Sequence, residues 1–223
     1  FRDVNIAFAN ELALICERTG ADVAEVIKLA NTHPRVKIHK PGCGVGGSCL
    51  PKDPYFLIQA LKGKLPSWDI VRRSRELNSQ MPAHFVELVT NALRNVQGDI
   101  KHLKITVLGV AYKGQTDDVR NTPAEIVVKQ LLRLGADVHV YDPYSAETFG
   151  AKRAKTLEEA LDQANCVVIC TDHPEFTHLE PDNMRDCLGR QAIIVDGRRV
   201  LDPMLVRKAG IRYFGVGYSE TVS

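Results

Sequence analysis

The hydrophobic pattern of this chain changes its period once, near residue 104. Before that point apolar residues recur at helical spacing, and after it short runs rich in β-branched residues alternate with helical segments. Short buried strands that alternate with helices are typical of a parallel sheet with helices on both faces. The sequence therefore predicts an α/β protein with an all-helical unit at residues 1–97 and a doubly wound, Rossmann-like sheet unit at residues 98–223.

Four helices are predicted in the first unit. Residues 1–19 have helical periodicity, with Val4, Phe8, Leu12 and Ile15 on one face. Gly20 is expected to end this helix, and Asp22 to begin a second that reaches about residue 31. A third helix is predicted over residues 55–62, preceded by Asp53 as its N-cap, and Ser67 is expected to cap a long fourth helix over residues 67–97.

The long helix indicates that the protein is a homodimer. A helix of about 30 residues spans about 45 Å, which is longer than so small a unit needs. We expect its apolar residues to exceed what the unit can cover, so that a second copy covers the rest by a two-fold contact. These residues are Ile70, Val71, Leu77, Phe85, Leu88, Val89 and Leu93.

The sheet unit is predicted from five short apolar runs and three helical patterns. Each run is short enough for a buried strand, and helical spacing appears between most of them. The strands are expected at residues 105–110, 138–141, 166–170, 193–195 and 213–216, and the helices at residues 123–134, 157–163 and 203–208.

A glycine-rich loop with a cysteine at its end is the strongest indication of chemistry. Residues 41–54 run PGCGVGGSCLPKDP. Ordered glycines have an entropic cost, so Gly42, Gly44, Gly46 and Gly47 suggest close approach of the backbone to a ligand. Cys49 precedes a predicted helix start, where exposure and the helix dipole favour a reactive thiolate. The alternative is a buried, inert cysteine, which is the interpretation we prefer for Cys43.

The first strand of the sheet unit mimics a dinucleotide site without completing it. A loop that contains glycine follows the strand, and the next strand ends at Asp142, where such folds place a ribose-binding acid. However, residues 109–114 read GVAYKG and lack G-x-G-x-x-G, so NAD is not expected here. Lys113 and Arg198 both follow strands and suit an anionic ligand. Of Arg198 and its neighbour Arg199, one is expected to reach the ligand and the other to be solvated.

Composition excludes several classes of protein. The net charge is +2 and lysine and arginine are scattered, which argues against nucleic acid, and no apolar run approaches the ~20 residues of a membrane span. The six cysteines show no disulfide framework, which favours a reducing cytoplasm. The histidines lack metal-ligand spacing, and His33, His39 and His173 are expected to be surface or loop residues.

Four segments together resemble one known family. They are GVGGSCLPKDPYFL around Cys49, RDVNIA at the start, RELN with MP in the middle, and GVAYK with DDVR after the first strand. The chain resembles the UDP-glucose/GDP-mannose (nucleotide-sugar) 6-dehydrogenases over essentially its whole length. It is most similar to the branch that acts on UDP-N-acetylmannosamine and other UDP-N-acetylhexosamines.

This resemblance implies a reaction and a set of site residues. The reaction is the NAD-dependent, four-electron oxidation of C6 of a UDP-sugar to a uronate, through a thiohemiacetal and a thioester on Cys49. Asp53 would help to activate the thiol and the hydrolytic water. Lys113 and Arg198 would bind substrate together with the loop glycines, and Arg35 would reach the partner subunit's site. The resemblance also implies that a preceding NAD-binding domain is missing, since the chain begins inside a helix.

Two alternatives from other functional classes stay open. The chain could be a dimerisation and nucleotide-sugar-binding module without activity. It could also be a cysteine acyl-transfer enzyme that needs no nicotinamide, which would require a histidine base near Cys49.

Overall fold

The structure, a computed structural model, describes residues 1–60, 64 and 69–218. It contains a helical unit followed by a six-stranded parallel sheet, which confirms the predicted α/β fold class. The predicted division at residues 97 and 98 coincides with the end of a helix at Gln97 and a glycine with positive φ at Gly98. The two units nevertheless share one hydrophobic core, so the division into domains stays a prediction.

The helical unit consists of α1 (Arg2–Thr19), α2 (Val23–Ala30), α3 (Asp53–Ala60) and α4 (Ile70–Gln97). As predicted, Gly20 ends α1 with φ of 79°, and the Asp22 carboxylate accepts a hydrogen bond from the N–H of Ala24 at 2.8 Å. Asp69 caps α4 by accepting from the N–H of Arg72 at 3.1 Å. Ser67, the predicted cap, lies outside the described residues, as do the last two residues of the third predicted helix.

The sheet unit alternates strands and helices along the chain. In order they are β1 (Lys104–Leu108), α5 (Pro123–Arg133), β2 (Asp137–Tyr141), β3 (Lys152–Arg153), α6 (Leu157–Leu161), β4 (Cys166–Ile169), α7 (Pro174–Thr177), α8 (Pro181–Cys187), β5 (Ile193–Asp196), α9 (Pro203–Lys208) and β6 (Arg212–Gly215). The strand order is β3-β2-β1-β4-β5-β6, and every pair is parallel. The order reverses between β1 and β4, and such a switch point opens a crevice at the carboxyl ends of the strands.

The two faces of the sheet pack against different helices. On one face Val107, Val168 and Val195 join a core that includes residues of α1, α4 and α5. On the other face Leu108, Ile169 and other strand residues pack with α6, α8 and α9. Because successive side chains of a strand point to opposite faces, both faces of this sheet are buried. The helical unit and α5 therefore cover one side of the sheet together.

The packing of α4 on the sheet corrects the argument for a dimer. Phe85, Val89 and Leu93 are fully buried in the shared core. Each such side chain contributes about 1.5–3 kcal/mol of hydrophobic free energy when it is buried. The sheet unit thus covers part of the apolar surface that was assigned to a second copy, and these three residues are not available to a subunit interface.

The buried side of α1 also differs from the apolar face seen in the sequence. Its buried positions are mostly small, such as Ala9 and Ala13, and small residues let α1 approach α4 closely. Phe8 and Ile15 are instead about half exposed, at 49% and 50%. None of the helices in the described part of the chain has the length and apolar character needed to cross a membrane.

Candidate active site

The glycine-rich loop lies wedged between the two units. A Cβ atom on Gly46 would lie 2.6 Å from Cβ of Tyr112 and 2.8 Å from the carbonyl oxygen of Asn121. A Cβ on Gly44, where φ is +142°, would lie 2.9 Å from both Pro82 and Pro123. These distances are far inside van der Waals contact, so the glycines allow the loop to pack against protein. The sequence had suggested close approach to a ligand as their reason.

Hydrogen bonds hold this loop along most of its length. Near its start, the N–H of Gly42 donates to Oδ1 of Asn10 at 2.9 Å, and the N–H of Cys43 donates to the carbonyl oxygen of Gly197 at 3.0 Å. Further on, the N–H of Gly47 donates to the carbonyl oxygen of Arg120 at 2.8 Å. The loop therefore connects the helical unit to the carboxyl ends of β1 and β5.

A buried polar network supports the start of the loop. Arg75 on α4 pairs with Asp3 on α1 at 2.5 Å, and Asn78 donates to the same carboxylate at 2.9 Å. Asn10 donates to Oδ1 of Asn78 at 2.9 Å and accepts the Gly42 N–H described above. Buried polar groups of this kind must be paired because desolvation is costly. The network thus couples α1 and α4 to the position of Gly42.

Cys49 is exposed at the far end of the loop, as predicted. Its Sγ lies 3.5 Å from Oγ of Ser48. The N–H groups of Lys52 and Asp53 donate to the Cys49 carbonyl oxygen, at 3.0 and 2.8 Å, rather than to its sulfur. The hydrogen bonds of these two N–H groups therefore go to the Cys49 carbonyl oxygen. The sequence had led us to expect that N–H groups at the start of α3 would stabilise a Cys49 thiolate. Asp53 itself is exposed and begins α3 instead of preceding it.

The other cysteines are less accessible. Cys43 is fully buried, and its Sγ lies 3.6 Å from the carbonyl oxygen of Cys170, which agrees with a structural role. Burial raises the pKa of both Cys16 and Cys166. Cys187 is half-buried. No histidine in the described ranges hydrogen-bonds to Cys49, so the base that an acyl-transfer mechanism requires is not in contact with the thiol.

A cleft of about 260 Å³ opens between the glycine loop and the carboxyl ends of the strands. It is lined by two of the predicted ligand-binding cations, Lys113 and Arg198, and by Gly42, Gly44 and Gly46. The cleft has further lining residues that the sequence had not singled out as site residues, namely Arg2, Ile6, His39, Lys40, Val45, Leu50 and Tyr112. The high proportion of cationic side chains suits an anionic ligand.

Four predicted site residues lie outside this lining, namely Cys49, Asp53, Gly47 and Arg35. Cys49 is adjacent to Leu50, which lines the cleft, but does not itself line it. Gly47 packs against the ring of Tyr112. Arg35 is exposed on the turn after α2, where its N–H donates to Nδ1 of His33. The structure thus places Lys113, Arg198 and three glycines together, with Cys49 at the edge.

The two arginines after β5 have different surroundings. Arg198 pairs with Asp172 at 3.2 Å, and its side chain stays partly exposed towards the cleft. Arg199 was expected to be solvated, and this is wrong. Its side chain is only 8% exposed, pairs with Asp22 at 2.8 Å and lies over the ring of Tyr218. It therefore joins the sheet unit to the start of α2.

Asp142 and His173 form a buried pair behind the cleft. His173 was expected to be a surface or loop residue; it lies in the loop after β4 but is fully buried, with Nε2 3.1 Å from Oδ2 of Asp142. The same carboxylate accepts backbone hydrogen bonds from Val110, Ala111, Tyr144 and Ser145. Burial alone would raise the pKa of Asp142, but the hydrogen bonds from His173 and the backbone lower it to about 2.

These contacts decide whether the sheet unit can hold NAD at its first loop. In dinucleotide folds the acid after the second strand accepts hydrogen bonds from a ribose. Here Asp142 is committed to four backbone N–H groups and to His173, and Thr171 fills the space beside Gly109. The residues of this loop therefore do not fit a dinucleotide. Among the described side chains, no group of three or more potential ligands is arranged to hold a metal ion.

Family models match both units of the chain. Residues 1–80 match the central domain of the UDP-glucose/GDP-mannose dehydrogenase family, and residues 106–203 match its UDP-binding domain. The second match includes Lys113 and Arg198, which line the cleft.

Individual relatives agree with this assignment. A curated UDP-N-acetyl-D-mannosamine dehydrogenase from Pyrococcus horikoshii is 43% identical over 99% of this chain. The solved structure of the UDP-D-ManNAc dehydrogenase from the same organism superposes on this chain with a TM-score of 0.87, and the match covers 97% of this chain and 49% of that one. An NDP-N-acetyl-D-galactosaminuronic acid dehydrogenase from Methanosarcina mazei is 33% identical, with a TM-score of 0.89 over 98% of this chain and 49% of its own.

A third solved relative carries a different sugar in its name. A UDP-glucose dehydrogenase from Pyrobaculum islandicum is 31% identical, with a TM-score of 0.81 over 97% of this chain and 48% of its own. The chain spans about half the length of the relatives that it matches. On the two family models and these relatives, the chain belongs to the UDP-glucose/GDP-mannose dehydrogenase family.

Proposed function

We propose that the protein oxidises C6 of a UDP-sugar to a carboxylate in an NAD-dependent, four-electron reaction with Cys49 as the covalent residue. The observation that carries this proposal is the loop that ends at Cys49, which also forms one wall of a cationic cleft at the carboxyl ends of the strands. A nucleotide diphosphate held in the cleft would extend its sugar along this wall. The reacting carbon and the thiol would then meet at its edge.

The cleft supplies the groups that a diphosphate requires. Lys113 and Arg198 line it from two different strand ends, and Arg2 and Lys40 approach from the helical unit. The pairing of Arg198 with Asp172 leaves one guanidinium edge for a ligand, since arginine presents five donors in a planar fork. Charge-assisted hydrogen bonds from such groups to phosphate are among the stronger polar contacts in proteins.

A covalent bond to Cys49 divides the oxidation into two stages, each with a lower barrier than a single step would have. Loss of a proton and a hydride converts the C6 alcohol to an aldehyde, and the thiolate then forms a C–S bond to that carbon. Loss of a second hydride, together with the hydroxyl proton, converts the resulting thiohemiacetal to a thioester. Water attacks the thioester, the C–S bond breaks, and the thiol is restored as the carboxylate leaves. We propose that Asp53, four residues after the thiol, assists the thiol and the attacking water.

Two molecules of NAD would accept the two hydrides. Since the first loop of the sheet unit does not fit a dinucleotide, NAD would be bound by residues other than those described. This proposal is compatible with the chain spanning about half the length of its relatives. The names of those relatives favour a UDP-N-acetylhexosamine, and UDP-N-acetylmannosamine in particular, as substrate.

We further propose a homodimer whose interface lies on the exposed surface of α1 and α4. Phe8 is 49% exposed and Ile70 is 64% exposed, and both line a groove that also contains Val4 and Leu77. Glu11, Arg73 and Glu76 lie along the same groove, so two copies related by a two-fold axis could pair opposite charges. The exposed Arg35 remains the candidate for a residue that reaches a partner's site.

Titration of this chain with UDP and with NAD tests the ligand part of the proposal. Calorimetry should show binding of UDP, and Lys113→Ala should weaken it roughly tenfold because a charge-assisted contact is lost. NAD should give no heat at micromolar concentrations. Binding of NAD instead of UDP would contradict the proposal.

The chemical part requires an assay of the longest natural chain that contains these residues. With a panel of UDP-sugars and NAD, it should form about two NADH per sugar, and Cys49→Ser should abolish turnover while leaving UDP affinity unchanged. A Cys49→Ser variant with full activity would exclude the covalent mechanism. Binding of UDP without turnover of any sugar would favour the non-catalytic alternative.

A further inference from the structure

Residues 171–173, directly after β4, form hydrogen bonds with the loop that carries Lys113. These bonds lie both before and after that lysine. Oγ1 of Thr171 donates to the carbonyl oxygen of Ala111 at 2.7 Å. Oδ1 of Asp172 accepts from the N–H of Gly114 at 2.9 Å. Nδ1 of His173 accepts from the N–H of Gln115 at 3.1 Å. The segment of residues 171–173 therefore fixes the backbone both before and after Lys113.

The backbone at Gln115 needs such a restraint. Its φ is 58°, in the left-handed region that residues other than glycine seldom adopt. Gln115 is exposed, so packing of its side chain does not impose this conformation. The hydrogen bond from its N–H to His173 is the contact that fastens it to the buried part of the protein.

The ring of His173 is itself held from several sides. Because Nδ1 accepts a hydrogen bond, the proton of the neutral ring is on Nε2, which donates to Asp142 at 3.1 Å. The ring stacks on Tyr144 at 4.9 Å between centroids and meets the edge of Phe176 at 5.4 Å. Imidazole can accept at one nitrogen and donate at the other, so a single side chain joins the buried carboxylate to the exposed loop.

We propose that His173 is a positioning residue for the cationic cleft, acting through Gln115 on Lys113. This inference rests on the proposed UDP site. His173 does not line the cleft. It holds the loop in the conformation that presents the Lys113 ammonium to a ligand, while its neighbour Asp172 fastens Gly114 and pairs with Arg198. Residues 171–173 thereby set the relative position of two cations that come from different strands.

Two substitutions separate the two hydrogen bonds of the imidazole. In His173→Asn the side-chain oxygen can occupy the position of Nδ1 and still accept from Gln115, but nothing reaches Asp142. In His173→Gln the amide can reach the position of Nε2 and donate to Asp142, but the Gln115 N–H loses its acceptor. Both variants lose packing against Tyr144 and Phe176, so both should unfold at a lower temperature. His178→Gln, at an exposed histidine directly after α7, is the control.

The expected result is a difference in UDP affinity that does not follow thermal stability. Calorimetry should give a dissociation constant within about twofold of the unmodified chain for His173→Asn and His178→Gln, and one roughly tenfold weaker for His173→Gln. A purely structural role would weaken both His173 variants in proportion to their loss of stability, and that outcome overturns the proposal.

Amide hydrogen exchange provides a second readout that does not depend on UDP. In the unmodified chain the Gln115 N–H should exchange more slowly than that of Lys113, which has no acceptor among the described residues. Exchange at Gln115 should accelerate in His173→Gln and not in His173→Asn. Equal exchange at Gln115 and Lys113 in the unmodified chain would contradict the proposal even if neither variant folds. Failure of the unmodified chain to bind UDP would contradict the proposed function separately.

Discussion

At the scale of single residues, the candidate site combines one exposed thiol with several positions where no side chain fits. Cys49 is exposed, whereas four of the other five cysteines are buried. Gly46 lies where even a methyl group would collide with Tyr112 and Asn121. Exposure therefore distinguishes Cys49 from the other cysteines, and the lack of space for a side chain distinguishes Gly46 from an ordinary loop residue. Each of these properties leads to a prediction.

Cys49 should react before the other cysteines with a limiting amount of iodoacetamide. Burial shields most of the others, and it raises the pKa of Cys16 and Cys166, which leaves less thiolate at neutral pH. Peptide mapping by mass spectrometry measures the order of labelling, with Cys49→Ser as the control. Labelling of Cys43 or Cys16 ahead of Cys49 would refute the assignment of the nucleophile.

Gly46→Ala should destabilise the protein by about 1–3 kcal/mol, the usual cost of overpacking. The added Cβ would lie 2.6 Å from Tyr112 Cβ and 2.8 Å from a backbone oxygen, and neither atom is the end of a flexible side chain. Urea denaturation gives the change, with Gly210→Asn as the control because nothing lies within 4 Å of a Cβ there and asparagine tolerates the positive φ of a residue that ends a helix. A stability equal to that of the unmodified chain would mean that the loop packs differently.

At the scale of elements, α4 holds the molecule together by contacting both α1 and the sheet. Its contact with α1 includes an ion pair between His84 and Glu17, at 2.8 Å. The Glu17 side chain also accepts a hydrogen bond from the N–H of Gly217, just beyond β6. One carboxylate thus connects α1, α4 and the end of the sheet unit.

The stability contributed by the His84 pair should depend on pH. The hydrogen bond to Glu17 raises the pKa of His84 above its usual value of about 6.5, although burial opposes this. The protonated form is therefore favoured in the folded protein, and its contribution is full below pH 6.5 and disappears as the pH rises through the folded-state value. Between pH 6 and 8, thermal unfolding should show a smaller decline in Tm for His84→Gln than for the unmodified chain. Parallel profiles for both proteins would show that the pair contributes nothing.

The longer elements could be predicted from the sequence because each has a strong local signal. Helix caps at Asp22 and Gly20 and five apolar strand runs were enough to predict the order of most elements. The two-residue strand β3 and the short helices α7 and α8 have too few residues to show a period. The predicted starts of α3 and α4 differ from those in the structure because several polar residues near each start could serve as the cap.

The site could be predicted only where residues near in sequence carry the signal. Motifs and strand ends singled out Lys113 and Arg198, which line the cleft, and Cys49, which is exposed. The contact of His173 with Asp142 spans 31 residues, and that of Arg199 with Asp22 spans 177. A single sequence has no local pattern that reports such pairs. The same limitation led to the assignment of core residues of α4 to a subunit interface.

At the scale of the whole molecule, the remaining exposed apolar surface on α1 and α4 leads to a prediction about oligomeric state. Sedimentation of the unmodified chain should show a dimer, and Phe8→Asp combined with Ile70→Asp should give folded monomers. Leu93→Asp should instead unfold the protein, because Leu93 is fully buried in the shared core. Met204→Asp, at a residue 79% exposed on α9, is the control. A stable monomer of the unmodified chain would contradict both the interface and a shared-site role for Arg35.

The wedging of the glycine loop between the two units has a consequence for biosynthesis. Cys49 leaves the ribosome before its packing partners near residue 120, and long before Gly197, to which the loop is hydrogen-bonded. At about 5–20 residues per second, translation takes roughly 7–30 s to cover the roughly 150 residues from Cys49 to Gly197. During that interval the thiol of Cys43 and the apolar side of α4 lack the partners that bury them in the folded protein. Newly made protein is thus more vulnerable to oxidants and to aggregation than the folded protein, and chaperones that shelter unfinished chains would protect it.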